Sequence, residues 1–211
     1  KNITPDQIYA WSDANKTTPK TSAPALADAM ELFRPYAEAG REIVCFSISA
    51  GMSTSGNVMR LAAEELGASD RIKVIDSANL STGIGLLVVE AAIMAKNNRT
   101  ASQIVSEIEK LKPNVRASFV VDTLTYLYRG GRCNAVAAMA GGVLKLHPRI
   151  VVEDGAMNAS KKYRGKIASV VMNYVKDMEK DLKKARPERV FITHSGCEQE
   201  TVEKVRAYLK E

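Results

Sequence analysis

Two apolar segments, each followed by a loop of small residues and a helix, constrain the fold of this chain most strongly. Residues 42–49 have the composition of a buried strand that runs into the loop 50–56 and then into a helix. Residues 72–76 form a second such segment, followed by the loop 77–83 and another helix. Strand–loop–helix units of this kind build a parallel sheet with helical crossovers. The sequence therefore predicts an α/β fold whose first domain carries a parallel sheet.

The second half of the chain has a different pattern, which predicts a second α/β domain with a mixed sheet and a hairpin. Residues 115–121 and 189–194 are strand-like, and the turn at 153–155 separates two short strands expected to form an antiparallel hairpin. A long amphipathic helix is expected after the hairpin, and another at the end of the chain. The change of pattern divides the chain into domains 1–83 and 84–211.

Composition and charge exclude several classes of protein. The chain has 211 residues and a formal net charge of +6, but its densest basic run, 176–186, alternates with acids as a solvated helix face does. No apolar run approaches the ~18 residues of a membrane-spanning helix. Cys45, Cys133 and Cys197 lie far apart, and an odd number of cysteines disfavours a disulfide framework. We therefore expect a cytoplasmic protein without a nucleic-acid partner or an integral membrane segment.

Three loops rich in serine and threonine are the candidate binding elements. They are residues 17–22, 49–56 and 77–83, each expected beyond the carboxyl end of a strand and leading into a helix. Amide groups at a helix N-terminus, the helix dipole and side-chain hydroxyls together favour an anion. Serine and threonine are also ordinary helix caps, so any single loop has a purely structural interpretation. Three such loops on one chain favour a small acidic ligand.

The sequence also bears on three other kinds of site, namely a nucleotide P-loop, a hydrolase active site and a metal site. Residues 51–56 begin and end with glycine but lack the lysine that a nucleotide P-loop requires. A hydrolase using Ser53, Asp76 and His194 remains an alternative, since these are the residue types of a catalytic triad. The two histidines, His147 and His194, are not at metal-ligand spacing, so no metal site is expected.

Two more features have competing interpretations. Cys45 lies within a strand and is expected to be a small core residue rather than a nucleophile. The basic segment 129–132, Arg-Gly-Gly-Arg, could grip an anion or could be a helix C-terminus with basic residues suited to the dipole.

The order of several short motifs resembles that of the DegV family along essentially the whole chain. The motifs are Thr21-Ser-Ala-Pro24, Ile48-Ser-Ala-Gly-Met-Ser53, Val74-Ile-Asp-Ser77, Gly83-Ile-Gly-Leu-Leu-Val88, Phe119-Val-Val-Asp122, Leu127-Tyr-Arg-Gly-Gly-Arg132, Asp154-Gly155, Tyr163-Arg-Gly-Lys166 and Thr193-His-Ser-Gly196. The resemblance implies a bacterial fatty-acid-binding protein, which in some members is the lipid-carrying subunit of a fatty-acid kinase. It implies a long-chain fatty acid as ligand, a kinase catalytic subunit as partner, no cofactor and no catalytic residue of its own.

The resemblance also implies roles for three residues. In these proteins the fatty-acid carboxylate is held by the threonine and the serine that match Thr21 and Ser53. An arginine matching Arg164 is associated with phosphoryl transfer in the kinase-linked members. An enzyme that uses Ser53 and Arg164 on an ester or phosphate ester is the alternative function.

The chain departs from the family pattern at several places. Ala23 stands where the family usually has glutamine, and Thr54-Ser55 where it has Gly-Thr. The family's first strand and its C-terminal segment with a functional histidine have no counterpart in this sequence, and neither His147 nor His194 matches that histidine. The resemblance therefore assigns no histidine to the site.

A buried acyl chain would supply most of the affinity for such a ligand. About fourteen methylenes at roughly 0.8 kcal/mol each offer on the order of 11 kcal/mol before the costs of binding. The helix expected over 134–146, rich in alanine, methionine and leucine, is the candidate lining of an acyl tunnel in the second domain, or else close-packed core.

Overall fold

The computed structural model describes residues 3–131 and 146–210, and these form α-helices, strands and two short 3₁₀ turns. The helices are α1 (Pro5–Asn15), α2 (Leu26–Glu38), α3 (Ser55–Glu65), α4 (Thr82–Lys96), α5 (Ala101–Leu111), α6 (Thr125–Gly130), α7 (Ile167–Asp177), α8 (Glu179–Leu182) and α9 (Gln199–Tyr208). The strands are β1 (Ile43–Ser47), β2 (Ile72–Asp76), β3 (Ala117–Val120), β4 (Leu146–Glu153) and β5 (Ala156–Arg164). The 3₁₀ turns are Lys112–Asn114 and Pro187–Arg189.

The chain divides into two compact units. The parallel unit consists of Thr21–Ala117 together with the hairpin turn Val152–Ala156. The hairpin unit consists of Lys1–Lys20, Ser118–Val151 and Met157–Glu211. This division differs from the boundary expected at residue 83, because α4 and α5 pack against the same two strands as α2 and α3 do.

The parallel unit is a three-layer α/β arrangement. β1 and β2 pair in parallel from Ile43 opposite Ile72 to Ser47 opposite Asp76, which confirms the predicted parallel sheet. Side chains alternate between the two faces of a strand. One face packs against α2 and α3 around Phe33, Ala62 and Ile72. The other packs against α4 and α5, in a cluster of Ile75, Leu87, Ala91, Ile104 and Ile108.

The hairpin unit contains a three-stranded sheet in the order β3–β4–β5. The predicted hairpin is confirmed, and the described strands of this sheet run antiparallel where a mixed sheet was expected. Ile150 is fully buried and packs against Phe119, Leu124, Leu127 and Met157. Two helices of this unit, α7 and α9, pack against each other.

Two further sequence expectations for the hairpin unit have different outcomes. The strand expected at 189–194 is wrong, because residues 187–189 form a 3₁₀ turn and residues 190–194 join neither sheet that the structure describes. Apolar residues form a strand only beside another strand, and Phe191 and Ile192 are instead exposed. The helix expected at 134–146 lies outside the described residues up to position 145, and Leu146 begins β4.

Candidate functional site

The loop between β1 and α3 is built around Ser49. The carbonyl oxygen of Ser49 accepts hydrogen bonds from the backbone N–H groups of Met52 and Ser53, at 2.9 and 3.1 Å. Its own N–H donates to the carbonyl of Asn79 in the loop after β2, at 2.9 Å. The loop therefore has a defined turn, and that turn places Ser53 just before the first residue of α3.

Ser53 carries its hydroxyl at the N-terminus of α3, as expected. Its Oγ accepts from the backbone N–H of Ser55 at 3.2 Å and lies 2.8 Å from the Ser55 hydroxyl. Ser53 is half-buried, so a ligand can reach it. When Ser55 donates to Ser53, the Ser53 proton is left to donate to an anion, and the positive end of the helix dipole favours the same anion.

The close approach of α3 to β1 depends on a glycine. Ser47, the last residue of β1, is 2% exposed, and a Cβ atom on Gly56 would lie 2.6 Å from its Oγ. A larger residue in the first turn of α3 would therefore push the helix N-terminus away from the strand end. This observation explains the glycine at the end of the 51–56 loop without a nucleotide-binding role.

Asp76 connects two loops of the parallel unit through one carboxylate oxygen. Its Oδ1 accepts from the backbone N–H of Ala50 at 3.3 Å and of Ala78 at 2.9 Å. Asp76 thereby joins the loop after β1 to the loop after β2. Residues 21–117 and 152–156 contain no histidine, so Ser53 has no imidazole base within its own unit.

The loop after β2 is structural. The Ser77 hydroxyl donates to the Asn79 carbonyl at 3.2 Å and accepts from the Asn79 N–H at 3.1 Å. Ser77 and Asn79 are both buried, and Asn79 packs so closely on Gly83 that no Cβ would fit there. The hydroxyl of Ser77 is therefore committed to the loop itself. A structural role fits this segment better than an anion site, although the N-cap residue of α4, Ser81, makes no side-chain cap hydrogen bond.

Thr21 belongs to the same unit as Ser53 and lies in an exposed segment before α2. Among the described residues no strand precedes this segment, so it is not at the carboxyl end of a strand as expected. The N-terminus of α2 is capped instead by Asp28, whose carboxylate accepts from the Ala25 N–H at 3.3 Å. The Thr21 hydroxyl is therefore not the cap of α2.

Arg164 is the last residue of β5, in the hairpin unit, and its side chain is exposed. The second strand of the expected hairpin runs through to Arg164, and the helix expected after the hairpin, α7, begins at Ile167. Gly165 makes the corner between them with a φ of +119°, a conformation that glycine adopts readily.

His147 holds this corner from inside the hairpin unit. The side chain is 4% exposed, with Nδ1 2.9 Å from the Val121 carbonyl and Nε2 3.2 Å from the Gly165 carbonyl. Both partners are acceptors, and the ring N–H of His147 donates to one of them. His147 thus lies between the residue that follows β3 and the residue that follows Arg164.

Arg129 is a structural residue. Its Nη1 donates to the backbone carbonyl and the hydroxyl of Ser12, both at 3.1 Å, and lies 3.4 Å from the Asp13 carboxylate. Gly131 follows α6 in the left-handed conformation, with a φ of +69°. The helix C-terminus interpretation of this segment is confirmed, and Arg132 lies outside the described residues.

Cys45 is a core residue, as predicted. Burial raises the pKa of its thiol to about 11, outweighing a hydrogen bond and the positive charge of Arg60, which act in the opposite direction. The thiol faces the cluster around Phe33 and Ile72. A protonated, half-buried thiol is not a nucleophile at neutral pH.

A metal site, a membrane-spanning helix and a surface groove are the other binding features considered for residues 3–131 and 146–210. Within residues 3–131 and 146–210 no group of acidic, cysteine or histidine side chains is arranged to hold a metal ion. None of the helices described is both long and apolar enough to span a bilayer. A groove of about 500 Å³ lies along α2 between Ala27 and Glu38, and neither Thr21 nor Ser53 lines it.

These observations define an α/β protein of two units whose candidate site is a hydroxyl-bearing loop at a helix N-terminus. A model of the family described as "Uncharacterised protein, DegV family COG1307" matches residues 1–211. The chain belongs to the DegV family.

Curated relatives and solved structures agree with this assignment. A DegV domain-containing protein of Clostridium acetobutylicum is 32% identical over 206 residues, which are 96% of this chain and 71% of that protein. A DegV domain-containing protein of Deinococcus radiodurans is 33% identical over 159 residues, 75% of this chain but only 56% of the relative. The chain therefore spans between about half and three quarters of these relatives.

Two solved structures share the fold at more than 25% identity. The first is a fatty-acid-binding DegV family protein from Thermus thermophilus, with a TM-score of 0.74 and 26% identity, covering 87% of this chain and 64% of that one. The second is a stearic-acid-binding protein from Eubacterium ventriosum, with a TM-score of 0.77 and 27% identity, covering 99% of this chain and 74% of that one.

The residues that sequence reasoning missed are those that shape the loop. Ser49 and Gly155 were recognised only as parts of motifs, and Asp76 only as a motif residue and a candidate triad member. The hydrogen bonds of these residues join segments far apart in sequence. The spacing of small residues around position 50 indicates a tight loop, but it does not identify the hydrogen-bond partner of each residue.

Proposed function

We propose that this chain binds a long-chain fatty acid, with the carboxylate held by Thr21 and Ser53 and the acyl chain buried in the protein. The observation that supports this most is the Ser53 hydroxyl, half-buried at the N-terminus of α3 in a member of a family with fatty-acid-binding structures. A carboxylate at that position meets hydroxyl protons and the positive end of a helix.

The chemistry of the loop suits a binding protein better than a hydrolase. Ser53 has Ser55 as its hydrogen-bond partner, and its unit provides no histidine to take its proton. Asp76 is engaged by two backbone amides. A serine without a base is a weak nucleophile but a good neutral donor.

The proposal includes presentation of the ligand to a partner. Neutral hydroxyls satisfy a carboxylate without the bidentate grip of an arginine, which leaves its oxygens more accessible. A kinase catalytic subunit could then form an acyl phosphate on the bound fatty acid, in the cytoplasm. Arg164, exposed at the end of β5, is the residue we assign to supporting that transfer.

The direct test is to identify what the protein carries. We expect the chain, expressed in bacteria, purified and extracted with organic solvent, to release about one fatty acid per molecule, detected by mass spectrometry. The protein after heat denaturation and washing serves as the blank. Recovery of lipid-free protein that also fails to bind added palmitate would overturn the proposal.

A further inference from the structure

The turn of the β4–β5 hairpin is bonded to the loop that carries Ser53. The Ser49 hydroxyl donates to the carbonyl oxygen of Gly155 at 2.6 Å, across 106 positions of sequence. Ser49 is 2% exposed, and the turn Val152–Ala156 belongs to the same compact unit as Ser49. We infer that Ser49 and Gly155 are positioning residues, which set the shape of the carboxylate loop without touching the ligand.

Ser49 acts on Ser53 through the backbone. Its carbonyl accepts from the N–H groups of Met52 and Ser53, and its hydroxyl also accepts from the Gly51 N–H at 3.2 Å. Three backbone N–H groups of the loop thus donate hydrogen bonds to Ser49. The bond to Gly155 fixes the side chain of that residue and, through it, the orientation of the turn that ends at Ser53.

The contact between Ser49 and Gly155 leaves no room for a side chain at position 155 or at position 51. A Cβ atom on Gly155 would lie 2.6 Å from the Ser49 Oγ, and a Cβ on Gly51 would lie 2.9 Å from the Gly155 carbonyl oxygen. Contacts under 3.0 Å force a shift, and the atoms met are a buried side chain and the backbone. Any residue other than glycine at 155 must therefore displace Ser49.

This inference rests on the proposed function, because it assigns the two residues to the headgroup site of a fatty acid. It predicts a selective effect. A displaced loop should weaken recognition of the carboxylate, while the buried acyl chain is held as before. A general loss of stability would weaken an acid and the matching alcohol alike.

The experiment compares binding of palmitate with binding of hexadecanol to the delipidated full chain, by titration calorimetry. We expect Gly155→Ala to weaken palmitate binding about tenfold and hexadecanol binding less than twofold. The matched control is Gly67→Ala, in the same unit. Gly67 has a φ of +60° against +73° at Gly155, but nothing lies within 4 Å of its added Cβ. The control carries the same backbone strain and should leave both ligands unaffected.

A double substitution separates the steric clash between the new Cβ and Ser49 from the backbone strain of a positive φ at position 155. Ser49→Ala removes the atom that the new Cβ would meet, and the next atoms, the Ser49 Cβ and the Ala78 Cα, are at 3.8 and 3.9 Å, ordinary contact distances. Ser49→Ala with Gly155→Ala should therefore bind palmitate no more weakly than Ser49→Ala alone.

The outcomes are distinct. Equal losses for palmitate and hexadecanol in Gly155→Ala, or no loss at all, would overturn the positioning role. Failure of the unmodified protein and of Gly67→Ala to bind palmitate would instead overturn the proposed function.

Discussion

At the scale of single residues, hydroxyl groups dominate the candidate site. Ser53 and Thr21 are neutral donors, and the loop around Ser53 contains two further serines, Ser49 and Ser55, whose bonds stay within the protein. A buried carboxylate must have its oxygens satisfied by hydrogen bonds. In the proposed site, the hydroxyls of Thr21 and Ser53 would meet this need, and a buried acyl chain would provide the larger part of the binding free energy.

Substitution of either hydroxyl residue should therefore weaken binding without unfolding the protein. A hydrogen bond to a charged group contributes roughly 1.5–3 kcal/mol, so Ser53→Ala and Thr21→Val should each raise the Kd for palmitate about tenfold or more. Titration of the delipidated variants measures the effect, and Ser69→Ala, an exposed serine of the same unit, is the control.

Normal palmitate binding by both variants would place the carboxylate elsewhere. A hydrolase would behave differently, since Ser53→Ala would abolish turnover of an ester and preserve its binding.

At the scale of elements, local capping and long-range packing determine the helix positions together. In α5 the Thr100 hydroxyl accepts from the Gln103 N–H at 3.3 Å, and the Gln103 side chain accepts from the Thr100 N–H at 3.1 Å. The Glu42 carboxylate accepts from the Ala101 N–H at 3.2 Å. The first turn of α5 is thus capped by its own residues and by the residue before β1.

Removal of this cap should lower the stability of the parallel unit. We expect Thr100→Ala to reduce the free energy of unfolding by about 1 kcal/mol, as losses of threonine N-caps typically do. Ser106→Ala, at an exposed position in the middle of α5, is the control and should be neutral or slightly stabilising because alanine has the higher helix propensity.

Urea unfolding followed by circular dichroism measures both α5 variants. A Thr100→Ala transition indistinguishable from that of the unmodified protein would show that Glu42 alone suffices as a cap.

At the scale of the whole molecule, the proposed function separates holding a ligand from presenting it. The carboxylate residues Thr21 and Ser53 belong to the parallel unit, and Arg164 belongs to the hairpin unit. Arginine offers a planar, permanently charged group that suits phosphate oxygens. Its contribution should grow when a phosphoryl group adds negative charge in the transition state.

The test of this division is a pair of assays on Arg164→Ala. Palmitate binding should remain near normal, because the carboxylate is held elsewhere. Acyl phosphate formation with ATP and a bacterial fatty-acid kinase catalytic subunit should fall on the order of a hundredfold. The control is Lys162→Ala, since Lys162 is an exposed cation on the same face of β5.

The two readouts discriminate the roles of Arg164. Equal losses in binding and in acyl phosphate formation would make it a carboxylate ligand or a structural residue, and no loss in either would make it a surface arginine.

Much of the fold followed from local sequence. The apolar runs of β1 and β2, the capping boxes at Thr4 and Thr100, and the turn at Gly155 each depend on neighbours within a few positions. Physical preferences that act over such short distances are visible in a single sequence. The parallel pairing, the hairpin and the place of Ser53 before α3 could all be predicted for this reason.

Only the tertiary structure decided which segments meet. The residues 189–194 have the composition of a strand, yet no neighbouring edge pairs with them among the described strands. Asp76 had the chemistry of a triad member, but its carboxylate accepts from two backbone amides. The same holds for Ser49 and Gly155, because a hydrogen bond across 106 positions depends on how the chain returns. The sequence determines which hydrogen bonds and contacts each residue can make, and the packing of the chain determines the partner with which it makes them.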